Sequence, residues 1–227
     1  MKRLFKRDPN TSHIARWIEF QGRELQAQRE ESERFLMRLD PEAGYFSFRT
    51  FSDTGYTRSS TGDPLQQEIH GSLDACWHRL VALNRQGAVI AVTINHGNGR
   101  GRRSADIRRV RALFLDDDRG SDPGRFPLKP HLQVETSVGH NHFYWLVEGL
   151  PLQHFASCQQ RLAERYQGDT RVQALNQAMQ LPGFWRRKRI TQPWLPRVLE
   201  ISDHNPYKCF ELGELFKPQM SPKPVRN

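Results

Sequence analysis

The chain has 227 residues with a 37 % hydrophobic content, which is enough apolar surface for a folded core and excludes a globally disordered chain. No apolar run reaches the roughly 20 residues that cross a bilayer, and the three cysteines lack the paired spacing of a disulfide framework or a zinc site. With 34 basic against 25 acidic residues, a net charge of +9, we expect a cytoplasmic protein with no membrane partner and a polyanionic ligand.

Hydrophobic spacing predicts alternating helices and strands. Residues 1–40 are predicted as an N-terminal helical segment, and residues 41–203 as one α+β domain with a mixed or antiparallel sheet. Residues 204–227 form an extension that ends in a proline-rich tail without a core of its own. The domain's patterns predict a strand over 45–51, a helix over 72–86, strands over 88–94, 108–118, 131–137 and 142–147, helices over 152–166 and 170–179, and a strand over 197–201.

Three consecutive aspartates end one of these predicted strands, in the sequence Phe-Leu-Asp-Asp-Asp at 114–118. Side chains two residues apart in a strand face the same side, which places Asp116 and Asp118 together. Two such carboxylates repel unless a cation bridges them, and hard oxygen donors at this spacing suit Mg²⁺ or Mn²⁺. The alternative, on the pattern alone, is a solvated acidic loop edge.

A small polar turn joins the next two predicted strands. It places Ser137 and His142 at the facing ends of the strands, where a hydroxyl and an imidazole can donate to a phosphate. An ordinary strand histidine is the alternative for His142, and His140 with His142 also forms an H-x-H pair that could ligate a metal. Further along, Asp169 is predicted as the N-cap of the helix over 170–179.

A basic segment with two aromatic residues follows the last predicted turn, at 184–189. Four consecutive cations next to phenylalanine and tryptophan suit contacts with backbone phosphates and stacked bases. A solvated basic loop is an equally common reason for such a composition. The segment is therefore a candidate nucleic-acid contact.

In this order, the segments resemble the catalytic domain of the archaeo-eukaryotic primase superfamily, and are most similar to the RepB-type replication primases of plasmids and phages. The resemblance spans roughly residues 35–188. It rests on Gly-Ser-Leu-Asp at 71–74, Leu-Asn at 83–84, Val-Thr-Ile-Asn at 92–95, the aspartates of 114–118, Glu-Thr-Ser-Val-Gly-His-Asn-His-Phe-Tyr-Trp at 135–145, Gly-Asp at 168–169, and Leu-Pro-Gly-Phe-Trp at 181–185 with Lys188.

The resemblance implies a primase-polymerase sheet similar to the RNA-recognition fold, flanked by helices, with the acids on adjacent strands. It implies a DNA-dependent primase that copies single-stranded DNA from nucleoside triphosphates by two-metal nucleotidyl transfer, with a separate helicase or initiator as a further partner. The roles that it implies are catalytic metal ligands for Mg²⁺ or Mn²⁺ at Asp116, Asp118 and Asp169, nucleotide contacts at Ser137, His142 and Lys188, and nucleic-acid contacts at Arg186, Arg187 and Arg189.

Two positions depart from the family's pattern. The family commonly has arginine where this chain has Gln177 and Gln180. The missing phosphate-binding charge would then come from elsewhere, with Arg171 or Arg186 as the candidates. The chain also lacks the cysteines of the zinc knuckle that some primases carry.

Two other functions compete with the primase interpretation. A rolling-circle or mobilisation endonuclease of the HUH type would use His140 and His142 for a metal and Tyr166 as the nucleophile on DNA. Asn141 argues against it, because that family anchors a hydrophobic residue between its histidines, and the acidic pair would have no task. The third hypothesis is a non-catalytic module that binds single strands through the basic segment.

Overall fold

The computed structural model describes residues 25–53, 62–188 and 193–217. Residues 1–24 of the predicted N-terminal helical segment, Arg189 and residues 218–227 of the proline-rich tail lie outside these described residues. The described helices are α1 (Arg29–Leu39), α2 (Leu73–Arg85) and α3 (Leu152–Tyr166). Within the described ranges, none of the helices combines the length and the apolar character needed to cross a bilayer.

The first sheet is antiparallel and has the strand order β2-β1-β3-β9. Its strands are β1 (Phe46–Ser52), β2 (Gln67–Gly71), β3 (Ala88–Thr93) and β9 (Ala178–Gln180). Helix α2 begins where the hydroxyl of Ser72 accepts a hydrogen bond from the amide of Ala75, at 3.2 Å. The helix buries Leu80 and Leu83 in the hydrophobic core and contacts β2 and β3.

The second sheet has the strand order β10-β7-β8-β6, with β11 parallel to the end of β8. Its strands are β6 (Ala112–Asp117), β7 (Leu132–Ser137), β8 (His140–Glu148), β10 (Arg197–Ile201) and β11 (Tyr207–Lys208). Strand β8 is buried from Asn141 to Val147. A small hairpin of β4 (His96–Gly97) and β5 (Ile107–Arg109) precedes β6. The carboxylate-bearing strand β6 is thus held from one side by β8 and contacted by α3.

A single hydrophobic core joins the helices and both sheets. Aromatic rings form its centre in the second sheet: Phe35 of α1 lies edge-on to Tyr144 of β8, with centroids 5.2 Å apart. Phe114 of β6 contacts both Tyr144 and Phe155 of α3. The packing fixes β6 and β8 in register, so the polar residues at their ends meet in a defined way.

The α+β class with antiparallel sheets is confirmed, but the predicted helix over 170–179 is wrong. Residues 170–177 form turns, and β9 follows them. The reason is tertiary: the amide of Ile94 donates to the carbonyl of Gln177 (3.1 Å), and the side chain of Asn95 donates to the carbonyl of Leu175 (3.0 Å). Pairing with the edge of β3 satisfies backbone groups that a helix would bond internally, so local helical spacing does not decide the structure.

Candidate active site

Two carboxylate–imidazole pairs lie side by side at the paired ends of β6 and β8. Asp116 is directly opposite His142 in the register of the two strands, and its Oδ1 lies 3.4 Å from His142 Nε2. Asp118, just beyond β6, has its Oδ1 2.7 Å from Nδ1 of His140. His140 and His142 are two residues apart on β8, so their side chains lie on one face of the sheet. The two aspartates that they contact therefore lie on that same face.

The middle aspartate has a different task. Asp117 is fully buried, and its carboxylate accepts hydrogen bonds from the amide of Ser121 (2.7 Å) and from the hydroxyl of Ser121 (2.9 Å). It therefore shapes the loop that follows β6 and leaves the two neighbouring acids free for the site.

Asp169 reaches this site through the backbone, because its amide donates to the carbonyl of Asp116 at 3.1 Å. The approach depends on Gly168, where an added Cβ would lie 2.4 Å from Cδ1 of Leu115 and 2.9 Å from the same Asp116 carbonyl. The predicted N-cap role of Asp169 is wrong, because turns follow it. Nor does it lie on a strand, as the resemblance implied; it lies in the turn segment that crosses the end of β6.

The carboxylate of Asp169 is paired with Arg171. The guanidinium donates from Nη2 to Oδ2 at 2.8 Å and from Nε to Oδ1 at 3.0 Å. The hydrogen bond from Arg171 holds the pKa of Asp169 below its ordinary value. The hydrogen bond to Asp169 and the charge of that residue raise the pKa of Arg171, and the charges of Asp116 and Asp118 act in the same direction. Arg171 thus contacts Asp169 and interacts with the other two acids through its charge.

Asp116 is ionised in spite of its burial. Burial acts to raise the pKa of its carboxyl, and the negative charge of Asp169 acts in the same direction. The hydrogen bond and charge of His142 outweigh both, so the pKa lies below its ordinary value. The interaction between Asp116 and Asp169 indicates that these two acids share one electrostatic environment.

The donor set fits a hard divalent cation in its chemistry, since all three acids offer carboxylate oxygens. Among the described residues, however, no three His, Cys, Asp or Glu side chains gather as a metal-binding group. The carboxylate of Asp169 is instead bound to Arg171. Both oxygens of the carboxylate that would be the third ligand thus accept from Arg171 in this structure.

His142 lies between two polar groups. Its Nε2 faces the carboxylate of Asp116, and its Nδ1 lies 3.2 Å from the hydroxyl of Tyr144; when the ring is neutral with its proton on Nε2, Nδ1 accepts a hydrogen bond from that hydroxyl. Burial raises the pKa of Tyr144 well above its ordinary value, which keeps this donor protonated. The sequence analysis missed Tyr144; the available signal was its position two residues after His142, on the same face of β8.

Ser137 and His142 do not face each other as predicted. The register places Ser137 opposite His140, whereas His142 is opposite Val134 on one side and Asp116 on the other. The hairpin closes at residues 138–139, and β8 begins at His140, so the turn is shorter than the predicted one. Ser137 thus lies nearer to the turn and His142 nearer to the carboxylates.

The basic segment is more deeply embedded than its composition predicts. Arg187 is only 7 % exposed, and its Nη1 donates to the carbonyl of Arg85 at 2.8 Å, so its prediction as a surface contact for nucleic acid is corrected. Arg186 pairs with Asp53 at 3.0 Å and donates to Gln180 at 2.6 Å. Lys188 is exposed.

The structure does not support the tyrosine-nucleophile alternative. Tyr166 is buried, its hydroxyl donates to the carbonyl of Leu215 at 2.9 Å, and its ring packs against Phe126. His140 and His142 contact two different aspartates. A tyrosine held in this way cannot attack a DNA phosphate without leaving the core.

Comparisons with known proteins identify the family and the fold of the chain. The family model of the RepB DNA-primase N-terminal domain matches residues 99–221. The AEP domain of the cyanophage S-2L primase-polymerase has a similar structure, with a TM-score of 0.65 and 16 % identity over 84 % of this chain and 99 % of that one. The crystal structure of primase RepB′ gives a TM-score of 0.54 and 16 % identity over 76 % of this chain and 56 % of that one. At such identities the likeness shows the fold. No curated protein sequence matches the chain.

Proposed function

The chain belongs to the RepB DNA-primase family of replication primases, and on this premise we propose that it synthesises primers on single-stranded DNA from nucleoside triphosphates. The replication that it serves would be that of a plasmid or phage. The observation that carries the proposal is the pair of contacts Asp116–His142 and Asp118–His140, with Asp169 hydrogen-bonded to the same strand.

In this proposal Asp116, Asp118 and Asp169 hold Mg²⁺ or Mn²⁺. When bound, the divalent ions neutralise the phosphates and orient the attacking and leaving oxygens. The low pKa of Asp116 and Asp169 means that both carboxylates are ionised and ready to act as ligands at neutral pH. The contact between Asp116 and His142 keeps the first ligand in a fixed position.

The reaction is attack of a 3′-hydroxyl on the α-phosphate of a nucleoside triphosphate, with pyrophosphate as the leaving group. Arg171 supplies positive charge beside the three acids, and we propose that it moves from Asp169 to the triphosphate when the site is loaded. This move would replace the charge missing at Gln177 and Gln180. The Nε2 of His142 is a proposed donor to the same triphosphate. Ser137 and Lys188 remain proposed nucleotide contacts.

The remaining assignments are extensions of this proposal. Arg186 stays a proposed contact for nucleic acid, as does Arg189, which lies outside the described residues. A cytoplasmic location and a separate helicase or initiator partner are proposed on the sequence alone.

Synthesis on a circular single-stranded template tests the proposal, with labelled triphosphates and Mg²⁺ or Mn²⁺ and no added primer. We expect the wild-type chain to make product. Asp116→Ala and Asp118→Ala should each lower its yield by at least about a hundredfold, because charge stabilisation by bound ions is worth several kcal/mol. Asp203→Ala, which removes an exposed aspartate elsewhere, is the matched control and should leave synthesis unchanged.

The outcomes separate the competing functions. Equal synthesis by wild type, Asp116→Ala and Asp118→Ala would contradict the proposed role of the acids. Binding of single strands without synthesis under any metal condition would favour the non-catalytic module. A covalent protein–DNA adduct lost in Tyr166→Phe would favour the endonuclease.

A further inference from the structure

One face of the first sheet points away from the hydrophobic core. In antiparallel strands, directly opposed residues share a face, and the register aligns one residue from each of the four strands. This row, which we call the outer row, consists of Glu68 on β2, Arg49 on β1, Ala91 on β3 and Gln180 on β9. Residues of the opposite face, such as Phe48, belong to the core.

The outer row borders a basic groove. A cavity of about 620 Å³ is lined by Glu68, His70 and the arginine loop 100–103, and a second of about 410 Å³ is lined by Arg49, Phe51 and Arg102 among others. Both cavities share Glu68 and Arg102, so they are parts of one groove. At the far end of the row, Arg186 donates to Gln180.

The acid in the groove does not cancel its positive charge. Glu68 lies 3.9 Å from Nε of Arg102 and 4.0 Å from Nε2 of His70, so its carboxylate is shared between these neighbours. Asp106 accepts hydrogen bonds from Asn98 and from the amide of Arg103, which fixes the loop. Among the residues that the structure describes, Arg49 and Arg100 form no ion pair with an acid, and they leave the groove cationic.

An exposed aromatic ring lies beside these cations. Phe51 is two residues beyond Arg49 on β1 and therefore on the same face, and it is 43 % exposed. The next positions of the row, Ala91 and Gln180, are buried, so the accessible part of the row is its β1–β2 end. Cations that follow a backbone, together with an exposed aromatic ring, are the combination that binds single-stranded nucleic acid.

The groove is connected to the carboxylates by one chain segment. Asn176, seven residues after Asp169, donates to the carbonyl of Arg102 at 2.6 Å, and the hydroxyl of Ser104 donates to Asn176 at 3.1 Å. The arginine loop is thus fastened to the same turn segment that contacts Asp116.

We infer that the β1–β2 end of the outer face, together with the arginine loop, binds the single-stranded DNA template, with phosphates on Arg49 and Arg102 and a base stacked on Phe51. The inference deepens the proposed function, because it takes the groove to serve the carboxylate site. It also moves the main template contacts from the basic segment at 186–189 to β1, β2 and the loop 100–103.

Fluorescence anisotropy of a labelled oligothymidine with the full chain, without triphosphates, tests this inference. Arg49→Gln should weaken binding several-fold and reduce the slope of log affinity against log salt by about 0.7, the value for one phosphate contact on a single strand. Phe51→Ala should weaken binding roughly tenfold through loss of base stacking. Arg34→Gln on α1 and Phe210→Ala, both exposed and away from the groove, are the matched controls and should bind as wild type.

Unchanged binding by a folded Phe51→Ala, or equal weakening by the control variants, would overturn the inference. If Arg49→Gln weakened binding and Phe51→Ala did not, the inference would also be overturned. A surface that attracts by charge alone would suit an acidic protein partner equally well. The binding assay contains no triphosphates and needs no synthesis. The inference can therefore fail while the proposed function stands, and the reverse. Asp116→Ala should bind the oligonucleotide normally while losing synthesis.

Discussion

Gly168 lets the late aspartate reach the strand that carries the other two acids. Any side chain there would collide with Leu115 and with the carbonyl of Asp116, so the contact between the segments requires glycine. Tyr144 has a comparable effect from the other side, since its hydroxyl fixes the ring of His142 against Asp116. Small local requirements thus determine how the carboxylates and imidazoles are arranged.

His131 makes the stability of the protein depend on pH. It is fully buried, its Nδ1 accepts the amide of Leu146 at 3.0 Å and its Nε2 donates to the carbonyl of Asn205 at 3.0 Å. Burial lowers the pKa of its imidazole to about 4. In the unfolded chain the imidazole becomes protonated below about pH 6.5, whereas in the folded chain it stays neutral until about pH 4. Stability therefore falls as the pH falls through this window.

Urea unfolding at pH 7 and pH 5 measures this effect. We expect wild type to lose about 2 kcal/mol of unfolding free energy through His131 between these values, in addition to losses from other groups. His131→Gln should show a loss smaller by that amount. His78→Gln, at an exposed position on α2, should keep the wild-type loss, and equal pH dependence in all three proteins would contradict the role of His131.

Helix α3 protects the edge of the carboxylate-bearing strand. Gln159 is 1 % exposed, its Oε1 accepts the amide of Phe114 at 3.2 Å, and its amide group donates to the carbonyl of Phe114. One side chain therefore takes the place of a neighbouring strand and satisfies both backbone groups.

Gln159→Leu should therefore destabilise the fold, because it leaves a buried amide and carbonyl unpaired. We expect a loss of about 2–4 kcal/mol, seen as a melting temperature lower by several degrees in calorimetry. Gln160→Leu, one residue along on the exposed side of α3, is the control and should change the melting temperature little. A similar melting temperature for both variants would show that the edge does not depend on this side chain.

The elements differ in how far the sequence predicts them. The helix over 152–166 and the strand over 197–201 follow directly from apolar spacing, and the structure has the same bounds. The segment 170–179 does not, because pairing with β3 outweighs its helical spacing. The strand β2 was missed between turn signals, since its five residues are mostly half-buried and polar.

The site shows the same division. Alternation in a strand was sufficient to place Asp116 and Asp118 on one face, but the position of Asp169 came only from the family resemblance. The pairing of Asp169 with Arg171 and the burial of Arg187 depend on contacts that no local pattern contains. Charge composition alone therefore overestimated how much of the basic segment is accessible to nucleic acid. It also gave no indication of the groove beside Arg49.

In the molecule as a whole, α1 and the second sheet hold the acids while the first sheet presents the basic groove. Phe35 of α1 packs on Tyr144, and Arg38 donates to the carbonyl of Ser202, so α1 ties β8 to the segment after β10. The turn segment after Asp169 then runs from the acids to β9 in the first sheet. Catalysis and template binding would thus lie on two sheets, and the turn segment after Asp169 is one of the connections between them.

Binding of Mn²⁺ to the full chain in the presence of a non-hydrolysable nucleoside triphosphate tests most directly whether the three acids act as one metal site. Electron paramagnetic resonance should show bound Mn²⁺ in the wild type. Asp116→Asn and Asp169→Asn should each weaken it by at least about tenfold, while Asp203→Asn should not. Wild-type Mn²⁺ affinity in a folded Asp169→Asn variant would contradict the shared site.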